Sequence, residues 1–198
     1  MQTEIEAKFL NIDFAKLRSK LKVLNAKLVK SERLMKRKNF DFPDHQLERQ
    51  VAGWVRVRDE GNKITLTYKQ LNDRSLHGTK EVNLTIDSFN SAEEFLKALG
   101  LKETSYQETK RESWILDDVE IELDEWPWIP PFVELEAKNE AALKKVAAKL
   151  DLDFSKAVHG SVEVAYQAVY DLTEEEVDHM SKITFTATPK WIEERRKI

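Results

Sequence analysis

The sequence predicts an α+β fold: an eight-stranded antiparallel β-barrel with helices packed outside it and a short helical extension at the C-terminus. Three observations favour this class. Apolar and polar residues alternate with period two over much of residues 3–138, as they do in half-buried strands. Turn-forming residues separate neighbouring candidate strands. Helical spacing occurs between and after these strands, which is typical of helices layered on an antiparallel sheet.

The strands follow from the alternation and from the turns between them. Asp59-Glu60-Gly61-Asn62 joins the third and fourth candidates, and Asp117-Asp118 joins the sixth and seventh. Both are sequences that connect antiparallel neighbours. The predicted strands are 3–10, 33–42, 53–58, 63–70, 79–86, 106–116, 118–125 and 131–138.

The helices follow from apolar stripes and caps. Residues 13–29 carry an apolar stripe from Phe14 to Leu28, and residues 91–99 begin at a Ser91 cap and end at Gly100. The predicted helices are 13–29, 91–99, 139–150 and 161–170, with shorter ones at 174–182 and 189–196. We expect residues 1–171 to form one domain and residues 172–198 to be a helical extension of it.

Composition excludes several classes of protein. Lys plus Arg is 32 against 36 for Asp plus Glu, a net charge of -4, which argues against a dedicated nucleic-acid or anionic-membrane binder. There is no cysteine, so disulfides and thiol catalysis are excluded. No apolar stretch approaches the roughly 20 residues that span a bilayer, and the N-terminus lacks the apolar core of a signal peptide. We therefore expect a soluble, cytoplasmic protein.

Charged side chains of both signs share one face of the predicted strands. Carboxylates cluster on the first, seventh and eighth strands, and basic residues on the third, fourth and sixth. For any single strand, a solvent-exposed face is the simpler interpretation. Together, however, the helices have apolar stripes that must cover the apolar faces of the strands, so the charged faces point into the barrel. Buried charges cost several kcal/mol each unless they are paired or bind ions.

A lumen with an acidic and a basic wall suits a metal-bound polyphosphate. Carboxylate oxygens bind Mg²⁺ or Mn²⁺, while Arg and Lys bind phosphate oxygens. No glycine-rich phosphate loop is present in the sequence. The four histidines are scattered without metal-ligand spacing, and they are not expected to be catalytic. The segment Trp126–Pro131 is interpreted either as a rigid crossover that plugs one barrel end or as a stacking surface for a substrate ring.

The sequence blocks that contain these charged residues resemble the motifs of a known protein family. EIEAK at Glu4 to Lys8 matches the ExExK signature of the CYTH proteins, also called triphosphate tunnel metalloenzymes. The resemblance extends from residue 1 to about residue 170. The later blocks follow in family order: KRKNFDFPD (36–44), WVRVRDEG (54–61), LTYKQ (66–70), KEVNL (80–84), KRESW (110–114) and IELDEWPWIPPFVELE (121–136).

The resemblance implies an eight-stranded tunnel, a Mg²⁺ or Mn²⁺ cofactor and a small-molecule triphosphate substrate. Inorganic tripolyphosphate, thiamine triphosphate, RNA 5′ ends and ATP are the substrates of the family. The implied metal ligands are Glu4, Glu6, Glu81, Asp124, Glu134 and Glu136. The implied phosphate-binding residues are Lys8, Arg37, Arg56, Arg58, Lys69, Lys110 and Arg111. Glu4, Glu6 and Lys8 are the implied catalytic residues.

Three departures from the family pattern leave the reaction open. Thr79 stands where many relatives have arginine, Asn83 where they have an acid, and Thr109 where they have a base, although Lys110 would replace it through a local bulge. A divalent-metal-dependent triphosphatase is the first hypothesis. A class IV-type adenylate cyclase and a non-catalytic polyphosphate binder are the alternatives. The apolar exterior and C-terminal segment also leave a homodimer open.

Overall fold

The computed structural model describes residues 2–3, 5–73 and 75–197 of the chain. Within these residues it contains one continuous sheet with helices around it. The strands are β1 (Gln2–Thr3), β2 (Glu6–Phe9), β3 (Lys27–Asp41), β4 (Gly53–Asp59), β5 (Ile64–Leu71), β6 (Thr79–Ile86), β7 (Lys102–Leu116), β8 (Val119–Glu125), β9 (Phe132–Glu136) and β10 (Lys182–Ile183). The α-helices are α1 (Phe14–Val23), α2 (Gln46–Val51), α3 (Phe89–Ala98), α4 (Glu140–Lys149), α5 (Glu163–Val169), α6 (Glu174–Asp178) and α7 (Lys190–Glu193).

The sheet curls until its two edges meet at the N-terminal segment. The strand order is β1-β6-β5-β4-β3-β7-β8-β9-β2, and neighbours along this path are antiparallel. β1 and β2 stand at opposite ends of this order although only two residues separate them in sequence. The eight predicted strands are therefore present, with the first divided between β1 and β2. β10 adds to β7 in parallel, outside this path.

Two element predictions were wrong at their ends. The helix predicted over residues 13–29 ends at Val23, because Asn25 adopts a positive φ of 55° and the chain enters β3 at Lys27. Leu28, which the helical stripe included, lies on β3 and is half exposed. The helix predicted over 174–182 ends at Asp178, and the chain continues into β10. α2 was not predicted, because its six residues carry no apolar stripe.

Side-chain caps fix the start of the longer helices. Asp13 Oδ1 accepts from the backbone N–H groups of Ala15 and Lys16 at the start of α1. Ser88 caps α3 by accepting from the N–H of Ser91, so the prediction that Ser91 itself is the cap was wrong, and Asn139 caps α4. These bonds satisfy N–H groups that have no partner inside the helix.

The helices pack against the outer face of the sheet. α1 and α4 cover β2, β8 and β9. The core between them contains the fully buried side chains of Leu21, Ile121, Leu135 and Val146. α3 covers β3 and β4 in a separate cluster around Phe40. Because side chains alternate across a strand, this arrangement turns the charged residues of the strands inward. Within the described residues, no helix is both long and apolar enough to cross a bilayer.

α5 and the C-terminal extension pack together on the end of the sheet that carries Trp126. Tyr166 and Tyr170 of the α5 region are fully buried, and their hydroxyls donate to the backbone carbonyls of Pro127 (2.9 Å) and Trp128 (2.6 Å). Residues of α6, β10 and α7 join the same apolar cluster. The extension therefore shares a core with the barrel.

Candidate active site

The inner face of the curled sheet encloses a cavity of about 840 Å³. Each long strand contributes alternate polar side chains to its wall, as the period of two requires. The sequence-predicted site residues that line it are Glu6, Lys8, Arg37, Arg56, Arg58, Lys69, Glu81, Arg111, Asp124, Glu134 and Glu136. Glu4 lies outside the described residues.

A buried ion triad forms where β2 meets β9. Lys8 stands opposite Glu134 in the strand register, and its Nζ lies 2.8 Å from Glu134 Oε1 and 2.9 Å from Glu6 Oε1. Burial and the neighbouring Glu134 carboxylate raise the pKa of Glu6 to about 8. Burial alone would lower the pKa of Lys8, but the carboxylates of Glu134 and Glu6 outweigh it and raise that pKa. The triad thus holds two crowded carboxyl groups around one cation.

Arg111 belongs to the same acidic wall. Its guanidinium donates to both oxygens of Asp124 at 2.6 and 2.5 Å and to Glu134 Oε2 at 2.9 Å. Burial would lower the pKa of Arg111, but Asp124, Glu122 and Glu134 raise it well above its usual value. In this structure Arg111 acts as an internal counter-ion of the carboxylates.

The basic wall lies on β3 and β4. Arg37 pairs with Arg58 in the strand register, and Arg56 is two residues away on the same face. Burial, followed by repulsion from Arg56, Arg58 and Arg111, lowers the pKa of Arg37 well below its usual value. Three cations gathered in a buried wall favour an anionic ligand between them.

Arg37 belongs to this wall and has no carboxylate within the ion-pair distance of 4 Å among the described residues. It is 7% exposed. Its Nη2 donates to Thr109 Oγ1 at 2.8 Å, its Nε has no hydrogen-bond partner, and its guanidinium lies 4.7 Å from the centre of the Trp126 ring. The ring and the hydroxyl hold the guanidinium in place, and Asp124, which lies beyond ion-pair distance, offsets its charge only in part. This is the geometry of a preformed anion contact.

A protein-family model matches the part of the chain that forms the charged tunnel. The model of the CYTH domain matches residues 2–163. The chain belongs to the CYTH family. No curated protein matches it.

Solved structures similar to this chain share the CYTH fold. The PH1012 protein from Pyrococcus horikoshii OT3 is 25% identical, with 78% of this chain and 93% of that chain covered and a TM-score of 0.63. A "putative adenylate cyclase" from Vibrio parahaemolyticus is 16% identical, with 84% and 98% covered and a TM-score of 0.70. HpAC1 from Hippeastrum, described as a "putative adenylyl cyclase" with a dominant triphosphatase activity, is 14% identical, with 83% of this chain and 95% of that chain covered and a TM-score of 0.59.

Lys110 departs from what the CYTH resemblance implies. The strand register runs without a shift through Thr109, Lys110 and Arg111, so the bulge that would turn Lys110 inward is absent. Lys110 faces outward, where its Nζ lies 3.0 Å from Glu125 and 4.8 Å from the centre of the Phe185 ring. Thr109 keeps the inward position and serves Arg37 as an acceptor. Lys110 therefore does not line the cavity in this structure, in contrast to the expected inward position.

The cavity of this CYTH chain also contains charged residues that were not assigned to the site. Three of them, Arg33, Glu60 and Glu122, lie beside residues that were assigned to it. Glu122 accepts from Ser113 Oγ at 2.6 Å, and burial raises its pKa. Glu60, interpreted above as a turn residue, is 2.6 Å from Arg58 Nη2. The period of two on β8 and β3 would have placed Glu122 beside Asp124 and Arg33 beside Arg37, whereas nothing local marked Glu60.

The two other departures, Thr79 and Asn83, line the cavity on β6. Asn83 Oδ1 accepts from Thr67 Oγ1 at 2.9 Å, and Lys69 Nζ lies 3.4 Å from Glu81 Oε2 on the neighbouring strand. This side of the tunnel is therefore neutral or internally paired. The strongest positive charge remains on β3 and β4.

The raised pKa of Glu6 predicts how the free energy of unfolding depends on pH. Its pKa is about 8 in the folded chain, against an ordinary value of 4.5, so the folded state holds one proton more than the unfolded state between these limits. The free energy of unfolding should therefore fall by about 1.4 kcal/mol per pH unit through this window on account of Glu6. We expect Glu6→Gln to remove this slope. Urea unfolding at pH 5 to 8 with chelator present measures it, and parallel curves for the two proteins would contradict the assignment.

Proposed function

We propose that this CYTH protein is a divalent-metal-dependent hydrolase of a triphosphate compound that binds in the tunnel. The observation that carries the proposal is Arg37, which is buried without a carboxylate partner beside two further arginines. A chain of phosphates is the ligand that satisfies several such cations at once. Tripolyphosphate, thiamine triphosphate and nucleoside triphosphates are the candidates.

Binding of a triphosphate would relieve the electrostatic repulsion among the arginines of the basic wall. Arg56 and Arg58 both lower the pKa of Arg37, and all three side chains lie on the same face of the sheet. Their positive charges therefore repel one another in the free protein. Phosphate oxygens between the guanidinium groups would replace that repulsion with charge-assisted hydrogen bonds. These bonds are worth about 1.5–3 kcal/mol each. Arg37 would gain most, because it is held but not neutralised.

The opposite wall fits a hard divalent cation. Its donors are carboxylate oxygens of Glu6, Asp124 and Glu134, with Glu81, Glu136 and Glu122 in the same cavity and Glu4 expected to join them. Oxygen donors of this kind suit Mg²⁺ or Mn²⁺. The high pKa of Glu6 supports the fit, since two carboxyl groups crowd against each other there. A bound ion would neutralise phosphate charge and lower the pKa of a water molecule.

The chain's own contribution to such a reaction is position and charge. The basic wall would fix the phosphates against the acidic wall, and Lys8 and Arg111 would maintain the arrangement of the carboxylates. Phosphoryl transfer needs little covalent help from protein groups. The dominant triphosphatase activity described for the Hippeastrum protein favours hydrolysis over cyclisation.

Phosphorus-31 NMR separates the candidate reactions. The chain is incubated with tripolyphosphate or ATP and Mg²⁺ or Mn²⁺ at neutral and alkaline pH. We expect orthophosphate to appear with the unmodified chain and at least 100-fold more slowly with Glu6→Gln, while Lys110→Met, outside the cavity, keeps full activity. Pyrophosphate with a cyclic nucleotide would replace the proposal with a cyclase. Unchanged spectra from folded protein would replace it with a polyphosphate binder, which Thr79, Asn83 and Thr109 favour.

A further inference from the structure

Two histidines and a glutamate meet at the rim of the cavity. His45 directly precedes α2, Glu48 lies in the first turn of α2, and His179 caps the C-terminus of α6. All three line the cavity. His45 Nδ1 lies 2.9 Å from Glu48 Oε2, and His179 Nε2 lies 3.1 Å from both oxygens of Glu48. The fold thus brings together residues that are 131 positions apart.

The donor atoms of this trio differ from those of the tunnel. Imidazole nitrogens suit zinc and other first-row transition metals, whereas Mg²⁺ and Mn²⁺ prefer oxygen donors. Two histidines with one carboxylate are the ligands of several zinc sites that keep a further position open. We propose that His45, Glu48 and His179 bind a divalent transition-metal ion, with zinc as the expected ion, separately from the carboxylates inside the tunnel.

The geometry requires only a small contraction. One potential ligand atom from each residue can be chosen so that all three lie within 4.8 Å of one another. Zinc bonds of about 2.0–2.2 Å would bring them to about 3.3–3.5 Å from one another. The three side chains are 36–40% exposed, so they can change rotamer without disturbing the core.

Two features of the surroundings support a cation at this place. His45 and His179 already share one carboxylate, and their ring centres are 4.7 Å apart, so a metal ion would replace contacts that exist rather than assemble new ones. The other ring nitrogen of His179, Nδ1, lies 3.9 Å from Glu175. This distance is too long for a hydrogen bond, but a small movement of the exposed Glu175 side chain would let its carboxylate orient the imidazole, as carboxylates do for metal-bound histidines. Glu174 lines the same rim, as does Asp178, whose pKa is raised to about 7 by burial and by neighbouring carboxylates.

The site would join two parts of the chain. His45 and Glu48 belong to the connection between β3 and β4, and His179 belongs to the C-terminal extension. A shared ion would therefore fasten the extension across the rim of the tunnel. Access to the cavity would then depend on transition-metal supply as well as on the metal used inside it.

Zinc titration against a chromophoric chelator, with excess Mg²⁺ to occupy the tunnel carboxylates, tests the site. We expect the affinity for one zinc ion to fall at least 10-fold in His179→Ala and in His45→Ala. His77→Ala, an exposed histidine in a loop away from the trio, should bind like the unmodified chain. Near-ultraviolet circular dichroism checks that each variant is folded. Equal zinc binding by His179→Ala and the unmodified chain would overturn the proposal.

Two further readouts do not depend on enzyme activity. Cobalt(II) bound to nitrogen ligands should give a visible absorption band that His179→Ala lacks and His77→Ala keeps. Zinc should also slow amide hydrogen exchange in α6 of the unmodified chain by several-fold, because the ion would hold α6 to α2. A cobalt band of equal intensity in His179→Ala, or exchange in α6 that zinc leaves unchanged, would contradict the fastening of the extension.

Discussion

Replacing Lys8 by methionine is expected to lower the free energy of unfolding by about 3–5 kcal/mol at pH 8. Lys8 is 5% exposed and is the one cation within 3 Å of both Glu6 and Glu134 in the described structure. Without it, the two carboxyl groups face each other, with Arg111 still in contact with Glu134 and Lys69 acting on Glu6 from a greater distance. Removing one partner of a buried ion pair has a cost of this size, because the remaining charge is left without compensation. Urea unfolding of the metal-free protein measures the effect.

The pH dependence of the Lys8 variant separates charge from packing. At pH 5 the Glu6 carboxyl group is protonated, since burial and Glu134 raise its pKa to about 8, so fewer charges remain without a partner. The loss should therefore be smaller at pH 5 than at pH 8. Lys16→Met is the matched control, because Lys16 is exposed and its contact with Asp13 is 3.7 Å long. A loss that is equal at both pH values would assign the effect to packing alone.

The double variant Lys8→Met with Glu134→Gln should recover most of the stability at pH 8. Burial would raise the pKa of Glu134, but Lys8, a hydrogen bond with Glu6, and Arg111 lower it well below its usual value. The Glu134 carboxylate in turn raises the pKa of Glu6. Neutralising it leaves Glu6 without a facing charge, and Arg111 keeps its pair with Asp124. A double variant no more stable than Lys8→Met would show that the triad does not act as a unit.

The inward charges could be predicted from strand periodicity, and their partners could not. Glu6 and Lys8, or Arg56 and Arg58, share a face because alternate residues of a strand do. The apolar stripes of the helices then decided which face was internal. Whether a cation joins a carboxylate or another cation depends on the strand register, however. Register placed Arg111 beside Asp124 and Arg37 beside Arg58, and nothing local in the sequence contains that information.

Long-range and irregular features account for the other differences. The helix predicted through Leu28 failed because Asn25 turns the chain at a positive φ, which outweighs a continued apolar spacing. A bulge was expected at Lys110 because it would turn a basic side chain inward in place of Thr109. The strand pairing of β7 is regular at this point, so the bulge is absent. His179 meets Glu48 only through the packing of the C-terminal extension. Sequence spacing therefore could not reveal that the two histidines at the rim form a cluster.

Replacing Arg37 by methionine is expected to weaken triphosphate binding by about 10- to 150-fold. This range corresponds to the loss of one charge-assisted contact of about 1.5–3 kcal/mol. Isothermal titration calorimetry with tripolyphosphate and Mg²⁺ measures the affinity. Lys110→Met removes a charge from the same strand region but from the outer face, so it should leave binding unchanged. Equal weakening by both substitutions would indicate a general effect of net charge.

The same Arg37→Met substitution should stabilise the protein without ligand. Burial and three neighbouring arginines lower the pKa of Arg37, which means that its charge is unfavourable in the folded chain. Methionine fills similar space against Trp126 without that charge, so we expect a gain of about 1–2 kcal/mol, within the range known for apolar replacement of buried ions. The unfolding temperature would rise by about 2–4 °C per kcal/mol. If Arg37 served only the structure, replacing it would lower the free energy of unfolding. A gain in stability together with weaker triphosphate binding would instead identify Arg37 as a cation held in place for an anionic ligand.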